Sequence, residues 1–341
     1  MRAADDPSVS VIVPTYNRRS RLGRLLAALE RQHRSGALFE VIVAVDGATD
    51  GTAEMLSGFR ASYPLTVIRQ ERRGPAAARN AAIAAATGEV LLFLDDDVVP
   101  QDGLFERHLA VHRRDRHAAA VGRMSAPPGA RLPPWLDWEA ALLDRHYTRI
   151  LSGDIPADWR IFFTANASVR REDAIAAGCF DVRFTREEDI ELAHRLAGRG
   201  VGFHFLPQAV VHHDPDRTMA TWRHVAFERG RHDYMLETQL RRAERSMLDE
   251  WQQRHPINRA LARCCVGHQG RTRLLAGALE RAITSAFQRS RRLRLLLCSA
   301  LFNVMYWEGV AQAAGLGAGV WKGFLEPSRY GPTTNSSSAK P

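Results

Sequence analysis

Three consecutive carboxylates, Asp95, Asp96 and Asp97, directly follow the apolar run Val90–Leu94. Five apolar residues in a row are typical of a strand buried on both faces, and open α/β sheets bind ligands beyond the carboxyl ends of such strands. Two unit charges about 4 Å apart interact by roughly 4 kcal/mol at an effective dielectric of 20, so a divalent cation would relieve their repulsion. The pattern indicates a metal and phosphate site, with an acidic turn as the alternative.

The segments that position these acids alternate between strand-like and helix-like patterns through residues 8–125. One example of the helical segments is the alanine-rich stretch that opens at Gly74-Pro75 and stops near Gly88. The alternation predicts an α/β fold with a doubly wound, mostly parallel sheet. The predicted strands are Val9–Val13, Val41–Val45, Leu65–Ile68, Val90–Leu94 and Val201–Val211, and a helix is predicted at Arg186–Leu196.

Other regions depart from this alternation. Pro127–Trp159 contains two proline pairs and three tryptophans, which predicts irregular structure over a pocket. We expect the tryptophans to anchor it by packing rather than to stack on a sugar. Residues 216–326 are rich in arginine and are predicted to form a helical C-terminal region. Residues 1–7 form an N-terminal extension, and the Ser- and Thr-containing residues 327–341 are predicted to be a disordered tail.

The helical C-terminal region contains no predicted membrane span. Apolar residues dominate between Leu293 and Leu325, but Asn303, Glu308 and Gln312 interrupt them, leaving no clean stretch of about 20 apolar residues. Four arginines, Arg289, Arg291, Arg292 and Arg294, lie at the start of this stretch. An amphipathic helix on an anionic membrane surface is therefore one interpretation, and a helix packed on the catalytic domain is the other.

The chain is basic, with a formal net charge of +9 over 341 residues. This charge favours anionic ligands without choosing among nucleotides, phospholipid surfaces and nucleic acid. The four cysteines lack zinc-site spacing, and the first residues lack the pattern of a signal peptide. We therefore expect free thiols and a cytoplasmic location, with a peripheral position at the inner face of the membrane as an option.

Five short motifs stand in order at the ends of the predicted elements. They are Ser10–Asn17, Val45–Thr52, Ala78–Asn80, Gly88–Asp97 and Glu188-Asp189. Together they resemble the inverting family 2 glycosyltransferases with the GT-A fold, over roughly residues 8–215. The chain departs from many members at Val45-Asp46, where those members have paired acids, whereas Asp95 and Asp97 keep the DxD spacing.

The resemblance implies a nucleotide site at the first motifs. Asp46 would accept a hydrogen bond from an N–H of uracil or guanine, although a turn residue before a glycine is the alternative. The floor of the same pocket would consist of Pro14, Thr15 and Tyr16. Arg79 would contact a phosphate, or would be an exposed helix residue.

The acidic triplet would hold the rest of the donor and a metal ion. By the resemblance, Asp95 and Asp96 contact the nucleotide, and Asp95 and Asp97 bind a divalent cation that bridges the two phosphates. His213, or its neighbour His212, would complete the coordination. An imidazole among oxygen ligands favours Mn²⁺ over Mg²⁺, but packed or surface histidines are the alternative.

The resemblance divides the domain into a nucleotide-sugar half at residues 8–125 and an acceptor and catalytic half at residues 126–215. In the second half Asp189 is the predicted general base, with Glu188 as the substitute, and Asn166 is the predicted substrate contact. Acids at a helix start also complement the helix dipole, by under about 1 kcal/mol. The dipole lowers the pKa of Asp189 and the neighbouring acids raise it, so the sequence leaves its value open.

The motif series predicts a metal-dependent, inverting, non-processive glycosyltransferase that moves a sugar from a UDP-sugar donor to an acceptor hydroxyl. Glycan, glycolipid and natural-product assembly are all compatible with it, and nucleic acid is not an expected partner. One alternative is a nucleotidyltransferase, which would release pyrophosphate but leaves Glu188-Asp189 without a role. The other is a degenerate module that binds glycan or membrane, against which the retention of Asp95, Asp97 and Asp189 argues.

Overall fold

The computed structural model describes residues 7–240, 247–285 and 290–316. The predicted tail at 327–341 and the predicted N-terminal extension up to residue 6 lie outside these residues.

The chain divides into two compact units. The first contains the described residues up to Arg131 together with Glu139–Asp216. The second contains Leu132–Trp138 and the described residues from Arg217 onward. Residues 132–138 therefore belong to the helical unit, although they lie within the predicted acceptor half.

A mixed sheet of eight strands is the framework of the first unit. The strands are β1 (Val9–Thr15), β2 (Glu40–Asp46), β3 (Leu65–Gln70), β4 (Val90–Leu94), β5 (Val98–Pro100), β6 (Ala118–Ser125), β7 (Asn166–Arg170) and β8 (Gly202–His213). Their order is β3-β2-β1-β4-β7-β6-β8-β5. β1 pairs in parallel with β2 and β4, β2 with β3, and β6 with β8, whereas β7 and β5 run antiparallel to their neighbours. The mostly parallel α/β sheet predicted from the sequence is confirmed.

The apolar runs form the centre of the sheet because both faces of these strands are covered. Every residue of Val90–Leu94 is buried, as are Val11, Ile12 and Val13 of β1. Parallel strands in register end at the same edge, so the polar residues that follow β1, β2 and β4 lie at one edge of the sheet. The motifs that are far apart in sequence meet there.

The helices of the first unit are α1 (Arg19–Arg34), α2 (Thr52–Gly58), α3 (Pro75–Ala85), α4 (Leu104–Arg114), α5 (Pro134–Leu151, which starts in the second unit), α6 (Arg171–Ala176) and α7 (Glu188–Gly198). Of these, α3 and α7 begin and end close to the positions predicted from the sequence. The predicted alanine-rich helix is α3, which has Pro75 in its first turn and follows Gly74 at a φ of 91°. A proline fits there because the first N–H groups of a helix have no partner within it.

The prediction of irregular structure at Pro127–Trp159 is wrong for most of that segment, because α5 occupies 18 of its residues. The proline pair ends the preceding loop and starts the helix, a position in which proline is tolerated. Trp138 and Trp159 are buried, as the predicted packing role requires. The apolar residues of α5 recur with helical periodicity, but the prolines led to a prediction of irregular structure.

The second unit is a helical bundle, as predicted for the region after residue 216. Besides the start of α5, its helices are α8 (Met219–Leu240), α9 (Met247–Gln253), α10 (Pro256–Cys265), α11 (Gln269–Thr284) and α12 (Arg291–Ala313). α8 and α12 approach so closely that a Cβ on Gly309 would lie 2.0 Å from the carbonyl oxygen of Phe227. A Cβ on Gly230 would similarly lie 1.9 Å from the oxygen of Tyr306. Glycine is therefore required at this helix crossing.

Among the described helices, none combines the length and the apolar character that a membrane crossing requires. The predicted contact with an anionic membrane surface stays a prediction.

We expect Gly309→Ala to destabilise the second unit by about 1–3 kcal/mol or more, because the new methyl group overpacks a backbone contact. Gly277→Ala is the matched control, since a Cβ at this position of α11 meets no atom within 4 Å. The control should be neutral or gain up to about 1 kcal/mol from helix propensity. Thermal unfolding followed by circular dichroism measures both, and equal midpoints for the two variants would contradict the close crossing.

Candidate active site

The last acid of the triplet, Asp97, is held between a histidine and an arginine. Antiparallel pairing of β5 with β8 sets Val98 opposite His213, and Asp214 donates its N–H to the Asp97 carbonyl at 3.0 Å. His213 Nε2 consequently lies 3.4 Å from Asp97 Oδ1, an atom that is buried and accepts no hydrogen bond. Arg18 Nη1 contacts the other oxygen, Oδ2. Burial favours the neutral acid, but His213 and Arg18 outweigh it and lower the pKa of Asp97.

The middle acid, Asp96, faces the end of β1. Thr15 donates its hydroxyl to Asp96 Oδ2 at 2.7 Å, and Arg18 Nη1 lies 3.2 Å from Oδ1. Burial raises the pKa of Asp96 to about 7, with a further rise from the charge of Asp97, while Arg18 opposes the shift. Both Asp96 oxygens are thus engaged by protein groups.

The first acid, Asp95, is linked to the second half of the domain through Arg79. This guanidinium donates to Asp95 Oδ1 at 2.8 Å and to Glu188 Oε1 at 2.6 Å. The Arg79 side chain is only 5% exposed, and its pKa is raised; burial opposes this shift, and the carboxylates of Asp95 and Glu188 cause it. The guanidinium also lies over the ring of Phe180. Arg79 therefore connects the acidic triplet to the start of α7.

Asp189 stands beside this link and is only partly exposed. Its Oδ2 accepts the backbone N–H of Thr164 at 3.2 Å, just before β7, whose first residue pairs with the last residue of β4. Burial of the carboxyl group raises the pKa of Asp189 to about 8, and the neighbouring charges of Glu188 and Glu187 add to the rise. A carboxyl group with such a pKa can exchange a proton near neutral pH.

Asp46 supports the loop that follows β3. Its Oδ1 accepts hydrogen bonds from Gln70 Nε2 and from the N–H of Arg73, both at 2.7 Å, and its Oδ2 accepts the N–H of Gly74 at 2.9 Å. A carboxylate offers about four acceptor positions, so one remains on Oδ2. Arg72 lies over the ring of Tyr16, 4.3 Å from its centroid.

Asn166 is buried in the sheet opposite Leu94, and its side chain contacts groups other than the acids. Its Nδ2 donates to the carbonyl oxygen of Ala209 at 2.8 Å, and its Oδ1 contacts His108 Nε2 at 3.0 Å. The other nitrogen of His108 lies 2.8 Å from Ser168 Oγ, which also contacts His112. Burial lowers the pKa of His108 to about 4 and that of His112 to about 3. The structure engages the whole amide of Asn166 in a neutral core network.

The structure thus gathers Thr15, Arg79, the three acids of the triplet, Glu188, Asp189 and His213 at one edge of the sheet. His212 points elsewhere, with its Nε2 2.7 Å from Gln101 and its Nδ1 3.2 Å from Ser125. Sequence reasoning did not identify Arg18 as a site residue, whereas Thr164 begins the stretch Thr164–Ser168, which resembles the lining of the donor-sugar and acceptor pocket. The available signal for Arg18 was its position, because it lies three residues after the end of β1, a strand next to β4.

The donor set around Asp97 fits a divalent cation. A buried carboxylate oxygen without a hydrogen bond next to an imidazole nitrogen offers mixed oxygen and nitrogen ligands, which suit Mn²⁺. In the part of the chain that the structure describes, no three His, Cys, Asp or Glu side chains form a complete metal-binding group. Cations that bind with a diphosphate take one or two carboxylates from the protein and their remaining ligands from phosphate and water.

Comparison with known families classifies this arrangement. Residues 10–184 match the glycosyl transferase family 2 description. The chain belongs to glycosyl transferase family 2. Because the chain is a family 2 glycosyltransferase, the acidic edge belongs to a glycosyltransferase domain rather than to a nucleotidyltransferase.

Curated relatives of this family 2 glycosyltransferase are about 30% identical to it over the part of the chain that aligns. The uncharacterized glycosyltransferase YfnE of Bacillus subtilis is 29% identical over 60% of this chain and 64% of its own length. The validoxylamine A glucosyltransferase of Streptomyces hygroscopicus subsp. limoneus is 30% identical over 57% of this chain and 49% of its own length. The chain thus spans less than two thirds of either relative.

Two solved structures share the fold. The Pyrobaculum calidifontis mannosyltransferase PcManGT, in complex with GDP-Man and Mn²⁺, has a TM-score of 0.56 at 21% identity and covers 88% of both chains. Staphylococcus aureus TarS 1–349, in complex with UDP-GlcNAc, has a TM-score of 0.52 at 18% identity and covers 91% of this chain and 92% of its own. The predicted GT-A fold is confirmed.

We expect Arg79→Gln to destabilise the first unit by about 3–5 kcal/mol, because it leaves the buried carboxylate of Glu188 without its cation. Arg183→Gln is the control, since Arg183 pairs with Asp181 at the surface and its side chain is 69% exposed. Thermal unfolding should show a lower midpoint for the first variant and an unchanged one for the second. An unchanged midpoint for Arg79→Gln would show that the link through Arg79 carries no stability.

Proposed function

We propose that the protein is a metal-dependent, inverting, non-processive glycosyltransferase that moves a sugar from a UDP-sugar to an acceptor hydroxyl, in glycan, glycolipid or natural-product biosynthesis. The observation that carries this proposal is the link from Asp95 through Arg79 to Glu188, next to Asp189. It joins a donor-phosphate site and a group able to accept a proton at one edge of the sheet. A site that only bound glycan or membrane would need no such link.

The donor nucleotide is proposed to lie against Asp46 and the end of β1. The free acceptor position on Asp46 Oδ2 suits an imide N–H such as that of uracil. Pro14 and Thr15 belong to β1, and Tyr16 follows it with 37% of its surface exposed, which suits stacking on a base. The guanidinium of Arg72 lies over the exposed Tyr16 ring there.

The divalent cation is proposed to bind Asp97 and His213, with Asp95 close by. When bound, it stabilises the negative charge that develops on the leaving diphosphate. Asp97 is suited to the task because its lowered pKa keeps the carboxylate ionised. Asp96, whose two oxygens contact Thr15 and Arg18, is proposed to contact the nucleotide side of the donor.

Asp189 is proposed to act as the general base. The acceptor hydroxyl oxygen attacks the anomeric carbon, the bond from that carbon to the phosphate oxygen breaks with its electron pair leaving on the diphosphate, and the hydroxyl proton passes to Asp189. Attack opposite the leaving group inverts the anomeric configuration. Glu188 binds Arg79 through Oε1, so we assign it the role of positioning α7 rather than that of a second base. For Asn166, predicted from the resemblance as a substrate contact, we propose a supporting role instead, because its amide is fully engaged in the core.

Calorimetry with UDP, GDP, CDP and dTDP, each with Mn²⁺, Mg²⁺ or EDTA, tests the donor site. We expect one diphosphate to bind in a metal-dependent manner. Asp97→Ala should weaken this binding, whereas Asp189→Asn should retain it and lose about 10²–10⁴-fold in transfer rate, since only the base is removed. Transfer at the wild-type rate by Asp189→Asn would remove it as base, and the absence of binding by all four diphosphates would overturn the donor site.

The pH dependence of transfer should follow Asp189. The base acts in its ionised form, and a raised pKa of about 8 means that this form is lost as the pH falls below that value. We expect kcat/KM to rise tenfold per pH unit on the acid side and to level off above about pH 8. A rate that is constant from pH 6 to pH 9 would contradict the assignment.

A further inference from the structure

Arg18 directly contacts two acids of the triplet. Its Nη1 reaches Asp97 Oδ2 and also lies 3.2 Å from Asp96 Oδ1. Arg18 lies three residues after the end of β1 and immediately before α1, and its side chain is 31% exposed. The guanidinium therefore pairs with a carboxylate oxygen that a divalent cation would bind.

The triplet needs a counter-ion in the absence of ligand. Asp95 pairs with Arg79, which it shares with Glu188, whereas Asp97, whose side chain is 3% exposed, pairs with Arg18. The other oxygen of Asp97, Oδ1, is buried without a hydrogen bond and faces His213. This half-satisfied carboxylate marks a position where a stronger cation than a guanidinium gains contacts that Arg18 does not supply.

The Arg18 side chain also has space into which it can move away from the carboxylates. It lines an open cavity of about 300 Å³ together with Asn17, Arg19, Arg21 and Asp50. A long arginine side chain can turn from the carboxylates into such a space without a change in the backbone. The planar guanidinium binds carboxylate and phosphate in the same way, through parallel N–H groups.

We propose that Arg18 is an exchangeable counter-ion: a divalent cation displaces it from Asp97, and the released guanidinium then donates to the diphosphate of the donor. This inference rests on the proposed function and adds a coupling to it. Without a donor, Arg18 opposes metal binding; with a donor, it stabilises the bound diphosphate. Metal and diphosphate therefore strengthen each other's binding through one side chain, and thermodynamic linkage makes the effect reciprocal.

Mn²⁺ titration followed by the electron paramagnetic resonance signal of free Mn²⁺ tests the displacement without any measurement of activity. In the absence of nucleotide, Arg18→Ala should bind Mn²⁺ about tenfold more tightly than the wild type, because the competing cation is gone. At saturating Mn²⁺, the same variant should bind the nucleoside diphosphate about tenfold more weakly by calorimetry, because a phosphate contact is lost. Arg18→Lys keeps the charge but not the planar fork. Its affinities for Mn²⁺ and for the nucleoside diphosphate should lie between those of the wild type and those of Arg18→Ala.

Arg19→Ala is the matched control. It removes the same charge one residue away, and among the described contacts Arg19 touches none of the three acids. Its Mn²⁺ affinity should equal that of the wild type, which separates displacement from a general change in charge. Circular dichroism verifies that each variant is folded, and Arg18→Lys carries the test if Arg18→Ala is not.

The outcomes distinguish this inference from the proposed function. If wild type and Arg18 variants bind Mn²⁺ and diphosphate equally well, the donor site stands and the exchange is overturned. If Arg19→Ala tightens Mn²⁺ binding as much as Arg18→Ala, the effect is one of net charge and the exchange is again overturned. If the wild type binds neither Mn²⁺ nor any nucleoside diphosphate, both the proposed function and this inference fail.

Discussion

Three adjacent carboxylates at the end of a buried strand impose the constraint on which the rest of the site depends. Because β4 is covered on both faces, Asp96 and Asp97 are withdrawn from water, and like charges so placed require nearby cations. The cations come from two directions, Arg18 at the start of α1 and Arg79 within α3. The loop after β1 and the helix after β3 are thereby drawn to the same edge of the sheet.

The same constraint connects the two halves of the domain. Arg79 has two nitrogen atoms directed at carboxylates, and the second carboxylate belongs to Glu188 at the start of α7. Its neighbour Asn80 holds the segment before α7, with Nδ2 donating to the Phe180 carbonyl at 2.8 Å and Oδ1 accepting the Phe180 N–H at 2.9 Å. Two consecutive residues of α3 thus place the helix that presents Asp189. In a glycosyltransferase such a connection sets the proposed base in a fixed relation to the proposed donor phosphates.

Behind the acids, β7 is supported by neutral histidines rather than by a purely apolar core. His108 and His112 share the Ser168 hydroxyl, and their lowered pKa values keep them uncharged in the core. Asn166, the predicted substrate contact, completes the network, and its side-chain amide connects β7 to α4 and β8. Thr164, just before this strand, presents the N–H that Asp189 accepts.

The sequence by itself determined the α/β class, the strands β1–β4 and β8, and the helices α3 and α7, because long apolar runs and helical periodicity are local properties; it missed α5, whose prolines predicted irregular structure. The sequence also predicted the acidic edge, since the ends of parallel strands meet at one edge whatever the details of packing, whereas Asp189 was predicted from the family resemblance. Tertiary structure alone decided which partner each acid takes: Arg18 for Asp97, Arg79 for Asp95 and Glu188, and the sheet interior for Asn166. The positions of His213 beside Asp97 and of Asn166 opposite Leu94 depend on β5 and β7 running antiparallel to β8 and β4, a register fixed by contacts between residues distant in sequence. The pKa of Asp189 was likewise decided by the tertiary structure, because it is set by burial and by the charges that the fold brings together.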